Sequence, residues 1–182
     1  YDELGRILGA NAAFLDFEQI GSRFAQTMSS ELTMMHLLFH PDVPRAAFVT
    51  AQRMDVGVQN CLRWRAQVLP WRQTAAFQTI YEELLRYPLF RQAWGAANEA
   101  MELEVQGETA VRQTTHPVLG DITYLPNRTP HQIGKRTIIF GTLTPIGRLT
   151  TTKFEQHWPK ETQTVYRFAS HPFDASLSHL CH

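Results

Sequence analysis

Four prolines decide what the first half of this chain can become. Pro41, Pro44, Pro70 and Pro88 each lack a backbone donor and push the preceding residue out of the helical region, so no undisturbed helix runs through them. Between them apolar residues recur at steps of three and four. Ser29 and Ser30 offer caps for a helix over 31–39 (ELTMMHLLF), which stops at Pro41. Residues 45–69 are helical by pattern, with Ala47, Ala51, Met54, Val58, Cys61 and Leu62 on one stripe. Gln73 and Thr74 start another helix, carrying Phe77, Ile80, Tyr81, Leu84 and Leu85. Pro88 forces a break before a short helix with Leu89, Phe90 and Trp94.

The ends of the chain follow other periods. Asp2-Glu3-Leu4-Gly5 has turn chemistry, residues 6–10 can extend, and Asn11 is a good cap for a helix over 12–17. From Ala100 the helical period gives way to alternation, in 101–105 (MELEV) and in part of 110–114, with Gly107 between them. A turn at His116-Pro117-Val118-Leu119-Gly120 leads into a strand over 122–125. The run 136–143 (RTIIFGTL) is the most strand-like in the chain. Pro145-Ile146-Gly147 closes it, a last helix is expected over 150–158, and residues 159–182 have no clear period. Strands, a helical middle and then three or four antiparallel strands predict an α+β fold.

Composition narrows the partners. Lys plus Arg equals Asp plus Glu, and the pI is near 7.3, so the basic surface of a duplex DNA reader is missing. Arg63-Trp64-Arg65 and Lys135-Arg136 read as solvated helix and turn charges. Cys61 and Cys181 are too distant to suggest a disulfide framework, which points to a reduced, cytoplasmic setting. No apolar run of about 18 residues predicts a membrane span.

Chemical motifs are sparse. GxSxG, Walker, GxGxxG and CxxC patterns are absent from the sequence, so no enzyme, cofactor or resident metal is expected. His36 and His40 stand at i and i+4, but Leu37 occupies the position where a zincin carries Glu. Packing or helix capping is the simpler reading. His171, His179, Cys181 and His182 cluster in the tail without a clear role, and Cys61 reads as a small buried hydrophobe. His116-Pro117-x-x-Gly120 reads first as a hairpin corner. Its alternative is a pocket mouth, with Arg112 and His116 as donors. The apolar surplus (Met34, Met35, Leu38, Phe39, Met54, Phe77, Tyr81 and Trp94 from helices; Ile122, Tyr124, Ile138 and Phe140 from strands) is mostly core. With methionine among the fillers it can also enclose a lipophilic ligand.

These segments resemble a known family. The opening DELGRILGANAAF is similar to the first strands and Asn-led helix of PAS domains. Over residues 1–154, the succession LLFHPDVPRAAF, long helix, EELLRYPLFRQAW, THPVLGDITY and RTIIFGTLTP resembles the ligand-binding domain of MmyB-like bacterial transcription regulators. Its markers are Leu38-Phe39-x-Pro41, Phe90-Arg91-x-x-Trp94 and His116-Pro117-x-x-Gly120. The resemblance implies a PAS-like antiparallel sheet with a helical elaboration packed on one face, over residues 1–157; the tail expected over 158–182 departs from the family's usual short leucine-rich ending. It also implies a helix-turn-helix DNA-binding domain upstream of Tyr1, so that DNA is reached only through that absent domain.

The expected function is therefore a non-enzymatic sensor, homodimeric, that binds a fatty acid or similar acyl lipid. About ten buried methylenes at ~0.8 kcal/mol each supply roughly 8 kcal/mol before ordering costs. The expected ligand-binding set is Met35, Leu38, Phe39, Met54, Val58, Leu62, Phe77, Tyr81, Trp94, Arg112, His116, Ile122, Tyr124, Ile138 and Phe140. Arg112, His116 and Arg63 are the candidates for the carboxylate. The alternative is a protein-interaction or dimerisation module with no small-molecule ligand.

Overall fold

A computed structural model describes residues 1–21, 32–43, 54–99, 111–134, 136–158 and 165–167. Its first turn forms as the residues dictate. Gly5 takes φ 79°, a left-handed value glycine adopts without strain. The Asp2 carboxylate accepts from the amides of Leu4 and Arg6 at 3.0 and 2.9 Å and pairs with the Arg6 guanidinium at 2.7 Å. Strand β1 (Gly9–Asn11) runs into helix α1 (Ala12–Phe17), where Asn11 Oδ1 accepts from the Phe14 amide at 2.8 Å.

Helix α2 (Met34–Phe39) begins three residues later than the serine caps suggested, and its cap is Thr33. The reason is non-local. Leu32 and Thr33 are held extended against the N-terminal segment, with Ile7 N donating to Leu32 O at 2.7 Å and Met34 N to Gly5 O at 3.0 Å. Ser29, Ser30 and Glu31 lie outside the described residues. His40 leaves the helix at ψ 127°, as Pro41 requires.

Helix α3 (Met54–Gln67) covers most of the described part of the expected helix and ends two residues before the expected Leu69. A 3-10 turn (Leu69–Trp71) containing Pro70 separates it from α4 (Ala75–Leu84), capped by Thr74. Pro88 opens α5 (Pro88–Glu99), which is longer than expected. A proline in the first helical position forfeits no intrahelical bond and is preset in φ.

Strands β2 (Arg112–His116), β3 (Gly120–Ile133) and β4 (Arg136–Pro145) form an antiparallel meander in the order β2-β3-β4, with Thr114 opposite Ile122 and Thr129 opposite Phe140. Gly120 turns the first corner at φ 65°. β3 is far longer than the expected 122–125. Pro126 and Pro130 lie where β2 no longer reaches, so their missing donors break no ladder on that side. Helix α6 (Arg148–His157) follows, and β5 (Val165–Arg167) pairs antiparallel with β1. Part of the expected tail thus returns to the N-terminal segment. The expected strand over 101–105 lies outside the described residues.

Among the described residues three apolar clusters result. The largest joins α2 to α5 around Trp64, Phe77, Ile80, Leu84, Phe90 and Trp94, and Leu4 reaches it from the N-terminus. A second gathers Ile7, Leu15, Ile20, Leu32, Leu37 and Val43. The third lies under the sheet, where Phe17, Ile122 and Tyr124 meet Leu143, Phe154 and Trp158 of β4 and α6. The sheet is covered by α1 and α6, while α2 to α5 pack around a core of their own. That differs from a single helical layer laid on one sheet face. Residues 1–7 strap the two regions together. Tyr1 O accepts from Ile139 N at 2.8 Å and Glu3 Oε1 from Thr137 N at 3.0 Å, while Leu4 O takes the Trp64 indole N–H at 2.8 Å. Among the described residues no helix is long and apolar enough to cross a membrane.

Candidate functional site

The expected ligand-binding residues fall into two separate places. Met35, Phe39, Phe77 and Trp94 are buried in the helical core, and Leu38, Met54, Val58, Leu62 and Tyr81 are half-buried around it. Ile122 and Tyr124 lie under the sheet beside His116, and Arg112 is half-buried across from Tyr124. Ile138 is buried in β4, whereas Phe140 is 39% exposed, with its ring meeting that of His131. The structure does not gather these side chains around one space.

Within the helical core the rings fill against each other. Trp64–Phe77 and Phe90–Trp94 centroids are 5.5 Å apart, and Phe39–Phe90 and Tyr81–Trp94 are 5.4 Å apart. Those are contact distances for packed aromatics. Trp64 sits at the centre, although its sequence neighbours suggested a solvated face. The buried stripe of α3 is Gly57, Asn60, Cys61 and Trp64; it shares Cys61 with the expected stripe but is rotated away from Met54, Val58 and Leu62. Gly57 packs closely there: a Cβ would lie 3.4 Å from Ala93 and the Phe39 ring, a snug van der Waals contact. The spacing of Cys61, Trp64 and Val68 at three and four was the signal for it.

His116 is committed to the fold. Its Nδ1 accepts from the amides of Val118 and Leu119, both at 3.2 Å, so Nε2 carries the proton and donates to Phe17 O at 2.9 Å. Both nitrogens are in use. Its ring stacks on Phe17 at 5.0 Å. The corner reading therefore accounts for this histidine, and a carboxylate would have to displace its bonds. Arg63 belongs to the helical half, apart from Arg112.

His36 and His40 each have contacts of their own. Thr33 Oγ1 accepts from the amides of Met35 and His36 and donates its own proton to His36 Nδ1 at 2.8 Å. The same Nδ1 accepts from Thr33 N at 3.1 Å. His36 Nε2–H faces Glu83 Oε1 at 3.4 Å, and the Tyr87 hydroxyl donates to that oxygen at 3.2 Å. His40 Nδ1 accepts from Asp42 N. Burial pulls the His36 pKa down to about 4 against the raising effect of Glu83. The order Thr33–His36–Glu83 mimics nucleophile, base and acid, but Thr33 is completely buried, so no substrate meets its hydroxyl. Cys61 is equally inert, its thiol pushed up to about 12 by burial. Among the described residues no three His, Cys, Asp or Glu side chains are placed to hold a metal. The tail residues His171, His179, Cys181 and His182 lie outside the described residues.

An open groove of about 750 Å³ lies where β2 and β3 meet the start of α6. Gln113, Thr115, Asp121, Ile122, Thr123, Ile146, Arg148, Leu149, Thr150 and Lys153 are among its walls. Thr150 Oγ1 accepts from Thr123 N at 3.1 Å, Ile146 N donates to Thr123 O, and Lys153 Nζ donates to Asp121 O at 2.7 Å. These bonds fix α6 against the sheet and set the groove's width. Gly147 starts α6 at φ 82° without a side-chain cap, and Leu149 is 81% exposed at the rim. Of the expected site residues only Ile122 lines it. Sequence patterning passed over the rest, because polar residues alternating along a strand read simply as its wet face. No protein-family model matches this chain, and no curated protein matches it.

Proposed function

We propose that this chain is the effector-sensing domain of an MmyB-like bacterial transcription regulator, PAS-like in fold, that takes an amphipathic fatty-acid-like effector. DNA contact belongs to a helix-turn-helix domain outside this sequence. The groove beside α6 carries the reading. Its volume is in the range that small-molecule sites occupy, roughly 300–1,000 Å³. Ile122, Ile146 and Leu149 offer apolar contact, and Arg148 and Lys153 offer positive charge to a carboxylate. The marker segments add support, since each has a structural task. Phe39 of the first packs edge-on against Phe90 of the second, and Phe90 stacks on Trp94. His116 and Gly120 of the third build the β2–β3 corner.

Denaturing extraction with organic solvent, beside native mass spectrometry, tests this reading. A stoichiometric acyl lipid is expected. Leu149→Asp should weaken decanoate binding at least about tenfold, as expected from burying a charge where apolar contact was made, while Leu69→Asp at a distant exposed site leaves it unchanged. Equal binding in Leu149→Asp would move the ligand elsewhere in the fold. A dimer that carries no lipid and refuses decanoate would instead identify a protein-interaction module.

A further inference from the structure

We infer that the Thr33–His36 capping box is a proton-sensitive latch, which holds the start of α2 only while the His36 ring is neutral. This does not depend on the ligand proposed above. A capping box ordinarily uses Glu or Gln at its third helical position to accept the cap residue's N–H. Here that acceptor is an imidazole nitrogen, His36 Nδ1, at 3.1 Å from Thr33 N. An imidazole nitrogen has a lone pair to offer only until it is protonated. The other nitrogen already carries its hydrogen, because Nδ1 receives two donors. A second proton can therefore enter only at Nδ1, where it converts the acceptor into a donor. The Thr33 hydroxyl already accepts the Met35 and His36 amides and can receive it only by giving one of them up, and the Thr33 amide, in a residue with no exposed surface, is left facing an N–H.

The groups around the ring set what replaces the cap. From α4, Glu83 stands 3.4 Å from Nε2, beyond the usual range of an N–H···O bond but well placed for an imidazolium. From the turn between α4 and α5, Tyr87 shares the same carboxylate oxygen and sets its ring edge-on 5.9 Å from His36, with Arg86 and Asp42 near it. At the C-terminal cap of α2, His40 opposes a second positive charge. From the N-terminal segment, Arg6 faces Thr33 across a β-bridge, and its guanidinium is held by Asp2. Protonation thus exchanges the α2 cap for an ion pair with α4. The cap guards the Gly5–Met34 and Ile7–Leu32 bonds, so its loss loosens α2 from the N-terminal strap.

The sign follows from burial. His36 falls to about 4 in the fold from an ordinary 6.5. The unfolded chain therefore binds the proton first, and the histidine's contribution is whole above 6.5 and lost as pH falls from 6.5 to 4. Imidazole ¹⁵N spectra of the full chain between pH 8 and 4 test the latch directly, together with urea unfolding of the wild type and His36→Gln. Glutamine restores an acceptor that does not titrate. The expected results are a neutral His36 with its proton on Nε2 at pH 7. The unfolding constant of the wild type should also rise roughly thirtyfold more than that of His36→Gln between pH 8 and pH 5. A proton on Nδ1 at pH 7, or an equal acid response in His36→Gln, overturns the latch. If His36→Gln does not fold, the wild-type spectra decide alone: a ring already charged at pH 6, with Thr33 amide exchange unchanged, overturns it.

Discussion

His36 in the helical region and His116 in the sheet region are buried alike, at 0% and 2% exposure, and both use Nδ1 to accept backbone N–H groups. They differ at the other nitrogen. His116 Nε2 completes its bonding on the Phe17 carbonyl at 2.9 Å, whereas His36 Nε2 stands 3.4 Å from a carboxylate and, among the described residues, makes no well-formed hydrogen bond. The lesson is that burial alone does not give a histidine its task. A ring satisfied on both sides is a staple, and one satisfied on a single side keeps a capacity to respond. The surroundings match: His116 stacks flat on Phe17 under the sheet, while His36 sits among ionisable groups from two helices.

The largest test of the two-region picture is Trp64→Ala. It empties the centre of the helical core and strands the Leu4 carbonyl that ties the strap to α3. A loss of about 3–5 kcal/mol is expected, the range for deleting a large buried aromatic. Because residues 1–7 also bond to β4, the two regions should still unfold in one urea transition, seen alike by far-UV circular dichroism and by Cys61 labelling in a Cys181→Ser background. The thiol, held near 12 by burial, should stay unreactive at pH 8 until that transition. Cys61 reacting well before the loss of secondary structure would separate the helical region as a unit of its own.

His116→Ala comes next. It removes the acceptor for two amides and the donor to Phe17 O. Leaving such groups unpaired costs about 1–3 kcal/mol each when buried, less where water reaches them. About 2–3 kcal/mol in total is expected by urea denaturation. Thr33→Ala should cost about 1 kcal/mol, an ordinary cap loss, with Thr33→Ser close to wild type. If Thr33→Ala proved as costly as His116→Ala, the cap would be carrying the strap as well as the helix.

What the sequence disclosed divides along the same line. Asn11, Gly5, Thr74 and Pro88 act on their immediate neighbours, and their roles as caps, turn and helix start were legible or nearly so. Thr33 was not, because Ser29 and Ser30 were equally good caps by local chemistry. The competition was settled by pairing with residues 5–7. On α3, Gly57 and Asn60 carry no hydrophobic signal, so the burial stripe was drawn one step round the helix. The strand expected over 122–125 in fact continues through Pro126 and Pro130, where among the described residues β3 pairs only with β4. The expected site suffered most. Apolar spacing reveals that Phe77, Tyr81 and Trp94 turn inward, but not whether they meet a void or one another. The groove, built from β2, β3 and α6, exists only after those three elements meet.

The smallest effect concerns how the sheet region closes at its far end. Asp16 Oδ2, on α1, accepts from Trp158 Nε1 at 2.8 Å and from His157 Nε2 at 2.9 Å. The carboxylate side chain is more than half exposed, where water and salt screen such pairs. Asp16→Ala should therefore cost less than about 1 kcal/mol by urea unfolding. Asp16→Asn keeps an acceptor for the indole while losing the charge, so it separates the two bonds. If Asn matches the wild type, the tryptophan bond matters and the histidine pair is incidental. The opposite result, Asn as weak as Ala, would mean that charge holds α6 to α1. Either way the loss should stay well below that of His116→Ala, because Phe17, Phe154 and Trp158 keep their ring contacts. A comparable loss would show that the staple and the surface pair act as one network in the sheet region.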